Sequence, residues 1–373
     1  MAFCAREPGV IRNTVPMPEC PDCEPLPSKV AAPGRLHLWF TLGHSAKKLR
    51  VYLGRGMRAY EATEDGRVLV HVDEGGWGGL LDELSVLFSP AELDDVTALC
   101  KAGFDEPTPS DLPDVRSLRQ LIASGRSDWL LPMLLERRLT CVFQPIVRAD
   151  NPTSIYGQEC LLRAEAAGGC LVTAGPILDA AREARLLAQT DLAARHAAIR
   201  EVVRHGVEDH LFINIAPAYV HDPATCLRST VGTIDAVGIP RDKVIFEITE
   251  TDESDDVPAL TAFGDYCRKN GFRVALDDVG SSYSSLNLIH RLRPDFIKLD
   301  MDLIRGVNHD PYKATVARKV IEIARDLGVS TIAEGVETSG EMAWVRDHGA
   351  TFAQGWFIAK PANPPITGTP YAN

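Results

Sequence analysis

No apolar run in the 373 residues approaches the roughly 18 that a membrane helix needs, and the opening Met1-Ala2-Phe3-Cys4-Ala5-Arg6-Glu7-Pro8 has no signal-peptide core. Membrane insertion is therefore excluded as an expectation, and the protein is expected in the cytoplasm. A basic surplus is also missing. Lys and Arg number 39 against 51 Asp and Glu, a formal charge of −12, so no basic stripe is present to release counterions from duplex nucleic acid. Nine cysteines, an odd count, are scattered and several (Cys141, Cys267) sit inside apolar runs, which suits reduced packing residues rather than a disulfide framework. No internal repeat has a fixed period. Gly75-Gly76-Trp77-Gly78-Gly79 lacks the acidic pair of a cyclase signature and reads as a loop.

What is present is a 45% hydrophobic chain long enough for two domains, since a barrel needs roughly 250 residues. Residues 1–34 read as an irregular, Pro- and Cys-rich arm. Residues 35–104 read as a small α/β domain with strands at Leu36–Phe40, Lys48–Leu53 and Val68–Val72, a helix from Leu80 to Leu87 and a helix start at Ser89-Pro90. Residues 105–138 are a proline-bearing linker and a connecting helix pair interrupted at Pro132, and residues 139–363 form the larger domain. In the arm, Cys20-Pro21-Asp22-Cys23 has the spacing of half a zinc knuckle that Cys4, His37 or His44 would complete, but one Cys-x-x-Cys is a weak signal and a tail with free thiols is the simpler reading.

The larger domain repeats one event. Short apolar strands finish on a polar group: Ile155 to Glu159, Leu211 to Asn214, Val244 to Glu247 with Glu250 beyond, Phe272 to Asp277-Asp278, Phe296 to Lys298, Thr331 to Glu334, Phe352 to Gln354. Amphipathic helical stretches separate them, among them Pro176 to Arg204, Pro258 to Asn270 and Pro311 to Leu327. Strands alternating with such helices call for parallel β-α-β units, and closure into a barrel brings every polar terminus to one mouth.

Glu159, Asn214, Glu247 and Asp277 offer only hard oxygen ligands, which select Mg²⁺, Mn²⁺ or Ca²⁺ over zinc. Asp278 and Glu334 hold a second ion or orient a water, and two ions clamp the oxygens of a phosphodiester. Lys298 lies between Ile297 and Leu299 and needs a carboxylate partner or a functional role. Arg163 follows Glu159 by four residues and can reach a phosphate as a planar fork.

Phe143-Gln144-Pro145-Ile146-Val147, Glu159-Cys160-Leu161-Leu162-Arg163, Phe246-Glu247-Ile248-Thr249-Glu250, Asp277-Asp278, Ile297-Lys298-Leu299-Asp300, Ala333 to Thr338 and Gln354-Gly355, in this order, resemble the EAL domain, the family of cyclic-di-GMP-specific phosphodiesterases. The resemblance spans about Leu139 to Pro361. It implies an α/β fold, a modified TIM (β/α)8 barrel with its first strand antiparallel, preceded here by the small α/β domain. It further implies Mg²⁺ or Mn²⁺, two ions, with Ca²⁺ inhibitory, and linear pGpG as product. Carried over by position, Glu159, Asn214, Glu247, Asp277 and Asp278 bind metal. Lys298 and Glu334 position the attacking water beside Gln354, and Glu250 anchors the loop after Asp278. Arg163 binds phosphate, and Gln144 and Leu162 flank the substrate. A homodimer through the barrel is expected, and a catalytically silent receptor of the same family is the rival reading.

Three departures from the family stand in the chain. Cys160 replaces Ala on the strand face away from Glu159, where little effect is expected. Val279 replaces Phe and Ser282 replaces a Gly in the loop that couples dimerisation to metal binding, which makes that loop the expected point of regulation by the N-terminal region. The barrel is expected to keep activity when the chain begins near Leu118.

Overall fold

A computed structural model describes residues 33–56, 58–126, 129–166, 170–216, 222–249, 257–280 and 285–368. Two compact units emerge. Among the described residues, one runs to Glu136 and also takes in Gly175–Thr190; the other comprises Arg137–Ala174 and the chain from Asp191 onward.

In the first unit β1 (Gly34–Trp39), α1 (Gly43–Arg55), β2 (Tyr60–Ala62), β3 (Val68–Val72), α2 (Trp77–Leu87), α3 (Pro90–Asp95), β4 (Thr97–Ala102), β5 (Arg116–Ser117) and α4 (Leu118–Arg126) follow in order. The antiparallel sheet runs β2-β3-β1-β4-β5, a split β-α-β plan with one added strand. Leu36 and Leu38 alternate toward the helices and meet Leu49, Leu53, Leu80 and Leu84 in one core. Lys48–Leu53, expected as a strand, is the middle of α1. Six residues fit either period, but Ala46, Leu49 and Leu53 are buried at steps of three and four, and that helical spacing decides. Gly75 and Gly76 do turn the chain, whereas Gly78 and Gly79, expected in a loop, already lie inside α2. Strand β4 carried no separate expectation. Pro132 does not break a helix; Leu130–Leu135 is helical around it.

The second unit is a closed barrel. Its strands are β6 (Leu139–Arg148), β7 (Ile155–Glu165), β9 (His210–Asn214), β10 (Val244–Thr249), β11 (Arg273–Val279), β12 (Phe296–Leu299), β13 (Ser330–Ala333) and β14 (Phe352–Ala353), with β8 (Leu171–Thr173) hung on the side of β7. Strand β6 pairs antiparallel with both β7 and β14 and closes the circle; the pairings from β7 and β9 round to β14 are parallel. Helices Leu187–His205, Arg228–Val237, Val257–Lys269, Ser285–Leu292, Pro311–Asp326 and Ser339–Asp347 follow the strands and cover their outer faces.

Side chains alternate along a strand, so residues two apart share the barrel interior. One interior layer gathers Ile146, Phe212, Ile245, Ala275, Phe296, Ile332 and Phe352, with Tyr156 packed against it. Gly157 belongs there too: a Cβ at this position would stand 2.8 Å from the Phe212 ring and from the His210 carbonyl oxygen, so only glycine leaves room for the phenylalanine. Two positions onward toward the mouth the same strands present Gln144, Glu159, Asn214, Glu247, Asp277 and Lys298, with Glu334 and Gln354 just past the ends of β13 and β14.

Candidate active site at the barrel mouth

Lys298, 1% exposed, is the hub of this second layer. Its Nζ lies 2.7 Å from Glu334 Oε1, 2.9 Å from Glu247 Oε1, 3.1 Å from Asp277 Oδ1 and 3.4 Å from Glu159 Oε1. Gln354 donates from Nε2 to Glu159 Oε2 at 2.6 Å and to Gln144 Oε1 at 3.2 Å, and Asn214 donates from Nδ2 to Glu247 Oε2 at 3.2 Å. Four carboxylates thus share one ammonium.

The protonation equilibria follow from that imbalance. Burial alone would discharge Lys298, but Asp277, Glu159, Glu247 and Glu334 outweigh it and raise its pKa. Burial pushes Glu247, Asp277 and Glu334 upward, reinforced by their mutual repulsion and only partly countered by Lys298. Burial acts on Glu159 in the same sense, yet Lys298 and the bonds from Gln354 and Asn214 prevail and hold its pKa low.

Strict alternation would aim Asp278 away from Asp277. A register shift between β11 and β12 spanning Leu276 to Val279, with Asp278 at φ 56°, turns its carboxylate into the mouth as well. Burial, with Asp277 and Asp300 beside it, lifts its pKa to about 7. Two donor groups result, Glu159 with Glu247 and Asp277, and Asp277 with Asp278 and Glu334, the ligand atoms of each within 4.8 Å of one another. These hard oxygen donors, in negative excess and oriented by a single lysine, fit divalent cations.

A cleft of about 270 Å³ opens over the donors. Gln144, Glu159, Asp277, Asp278, Lys298, Glu334 and Gln354 line it, all expected from the sequence. Arg163 and Leu162 are not in that lining; the Arg163 guanidinium donates to the Leu162 carbonyl at 2.7 Å. Glu250, Ser282 and the cysteines Cys4, Cys20 and Cys23 lie outside the described residues. Cys160 packs on the outer face with Cys141 and Phe143. The lining also includes Leu161, Met301, Arg305, Glu337 and Trp356, to which sequence reasoning gave no role. Glu337 and Trp356 had a usable signal, each lying two or three residues past a named group; Arg305 had none.

Residues 127–361 match the family model described as EAL domain. The probable cyclic di-GMP phosphodiesterase PdeG of Escherichia coli (strain K12) is 28% identical over 225 residues, 59% of this chain and 44% of that protein, so the chain spans less than half of the relative's length. Among solved structures, a standalone versatile EAL protein from Vibrio cholerae O395 in its c-di-GMP bound form is 31% identical, with a TM-score of 0.55 over 60% of this chain and 92% of that one. The PaMucR phosphodiesterase in complex with c-di-GMP is 26% identical, with a TM-score of 0.57 over 64% and 97%.

Proposed function

The chain belongs to the EAL domain family, and from that membership and the donor ring at the barrel mouth we propose that it hydrolyses cyclic di-GMP to linear pGpG in a metal-dependent reaction. The observation that carries the reading is the charge imbalance: carboxylates on four strands around Lys298, arranged as two overlapping donor groups. Glu159, Asn214, Glu247 and Asp277 would hold one Mg²⁺ or Mn²⁺, and Asp278 with Glu334 and Asp277 a second. Such ions, when bound, polarise the phosphoryl oxygens and make water a stronger nucleophile at neutral pH.

The chain's own groups do the rest. Lys298 and Glu334, 2.7 Å apart, position a water: the charged Lys298 donates to its oxygen, and the Glu334 carboxylate takes its proton as that oxygen bonds to phosphorus. The phosphorus–O3′ bond breaks, with O3′ leaving as a hydroxyl once protonated from solvent. Gln354 fixes the Glu159 carboxylate from behind. Trp356, 59% exposed beside Gln354, offers a face on which a purine can stack. Arg163 supplies a fork for a phosphate, and Glu250 anchors the loop after Asp278. A homodimer through the barrel is supported by helix Pro311–Asp326 and the residue after it, where Tyr312, Val316, Ile323 and Leu327 expose an apolar stripe at steps of four, seven and four.

The test is incubation of purified protein with cyclic di-GMP and Mg²⁺ or Mn²⁺, with products separated by chromatography. Linear pGpG is expected with either ion and not with Ca²⁺, whose looser coordination misplaces the water. Binding of the dinucleotide without turnover would instead establish a silent receptor.

A further inference from the structure

Two segments leaving successive strands build one side of the cleft. Met301 and Arg305 come from the segment after β12, and Glu334, Gly335 and Glu337 from that after β13. Arg305 and Glu337 pair across the gap, with side chains 42% and 34% exposed. At that exposure an ion pair contributes only about 0–1 kcal/mol and holds neither segment in place.

A single carboxylate behind the rim does hold both. Glu341, 5% exposed, accepts the Gly306 N–H on Oε1 at 2.8 Å, and on Oε2 the Glu337 N–H at 2.8 Å and the Thr338 N–H at 2.9 Å. Its own N–H returns to Thr338 Oγ1 at 3.2 Å, closing a capping box on helix Ser339–Asp347. The box serves the helix, but the bonds to Gly306 and Glu337 do not belong to it: they tie the residue next to Arg305, and Glu337 itself, to the same side chain. Burial opposes the charge, yet the backbone donors at Gly306, Glu337 and Thr338 overcome it and keep the carboxyl below the ordinary glutamate range. A second observation lies one residue away. A Cβ on Gly340 would stand 2.5 Å from Asn308 Nδ2, so the segment after β12 rests directly on the start of this helix.

We propose that Glu341 is a positioning residue for substrate: by anchoring Gly306 and Glu337 together it sets the width of the cleft between Arg305 and Glu337, independently of the metal donors. The identity of the substrate rests on the function proposed above; the anchoring does not.

The experiment compares the full chain with Glu341→Gln, Gly340→Ala and Thr338→Val, reading KM and kcat for cyclic di-GMP, the Mn²⁺ concentration for half-maximal rate, and amide hydrogen exchange at residues 301–308 and 334–338. Glu341→Gln keeps one acceptor but turns an N–H toward the donors. It should raise KM about tenfold while the Mn²⁺ requirement stays within about twofold, and should speed exchange at Gly306 and Glu337. Gly340→Ala displaces the same segment without touching the carboxylate and should move KM in the same direction, which keeps the test decisive if Glu341→Gln does not fold. Thr338→Val removes the hydroxyl side of the box but keeps the three backbone donors to Glu341, and should leave KM within about twofold. The proposal is overturned if Glu341→Gln lowers the melting temperature with KM unchanged, or if Thr338→Val raises KM as much as Glu341→Gln does. If the wild type neither binds nor hydrolyses cyclic di-GMP, the functional reading falls, and the exchange rates at Gly306 and Glu337 alone decide whether the anchor exists.

Discussion

The two interior layers of the barrel are made by the same strands, two residues apart, and are physical opposites. In the lower layer Phe212 meets Phe296 edge to face at 5.4 Å, and Tyr156 stacks between Phe352 at 4.2 Å and His210 at 4.1 Å. Each of these contacts favours the fold. In the upper layer like charges are crowded into a buried space around one ammonium, an arrangement that disfavours the fold until cations enter. The lesson is a division of labour along each strand: an aromatic floor supplies rigidity, and the mouth spends it on a constellation that would not assemble by itself.

The largest way to break that comparison is to hollow out the floor. Phe212→Ala should cost about 3–5 kcal/mol in urea unfolding, because Gly157 beside it has no side chain with which to fill the void. A loss under about 1 kcal/mol would show that the floor is not where stability resides. At the mouth the sign of the lesion changes: Glu159→Ala should reduce hydrolysis by more than about tenfold, or about 1.4 kcal/mol of barrier, with the fold retained. A variant keeping more than a tenth of the wild-type rate at saturating Mg²⁺ removes Glu159 from the ligand set.

Acidity sharpens the contrast further. Asp278, lifted to about 7, binds a proton in the folded metal-free protein at pH values where the unfolded chain has released it. Its contribution is therefore present at low pH and lost as pH rises from the ordinary carboxylate range through about 7. Glu92 in the first unit behaves oppositely. Hydrogen bonds from Lys48 and from Ser89, against some burial, hold it at about 2, so its contribution is present above its ordinary value of 4.5 and is lost as pH falls toward 2. Melting curves of metal-free protein between pH 3 and 8 should resolve the two, with added Mg²⁺ flattening only the upper limb; an unchanged upper limb would detach Asp278 from the metal. The smallest effect belongs to Cys160→Ala. It should cost about 1 kcal/mol or less and leave the rate within about twofold, since the thiol faces the outer core. A larger change in rate would mean that the outer face is felt at Glu159.

The polar layer was legible because an apolar run that stops on a carboxylate is visible in one dimension, and a period of two then places every such terminus inside the barrel. Asp278 was legible as a residue but not as a geometry. Alternation aims it outward, and only a register shift against β12, a matter between two strands, aims it in. The same limit hid Arg305 and Glu341, whose partners lie 32 and 35 residues away across loops. In the first unit Lys48–Leu53 was misread because six residues satisfy both periods, and the deciding apolar position, Ala46, lies upstream of that stretch.

The path of the backbone between the units has a practical consequence. The chain passes from the first unit to the second at Glu136, returns at Gly175 and leaves again after Thr190, so sixteen residues of the first unit are encoded between β8 and β9 of the barrel. The units are stitched rather than strung, and no single cut separates them. A chain begun at Leu118 retains residues 175–190 but discards the sheet of the compact unit to which they belong. Loss of activity in such a truncation would not by itself identify a lost regulator, because the same cut divides a compact unit. Removing the first unit whole takes out both pieces, and the second cut then falls inside helix Leu187–His205, whose first four residues belong to the first unit.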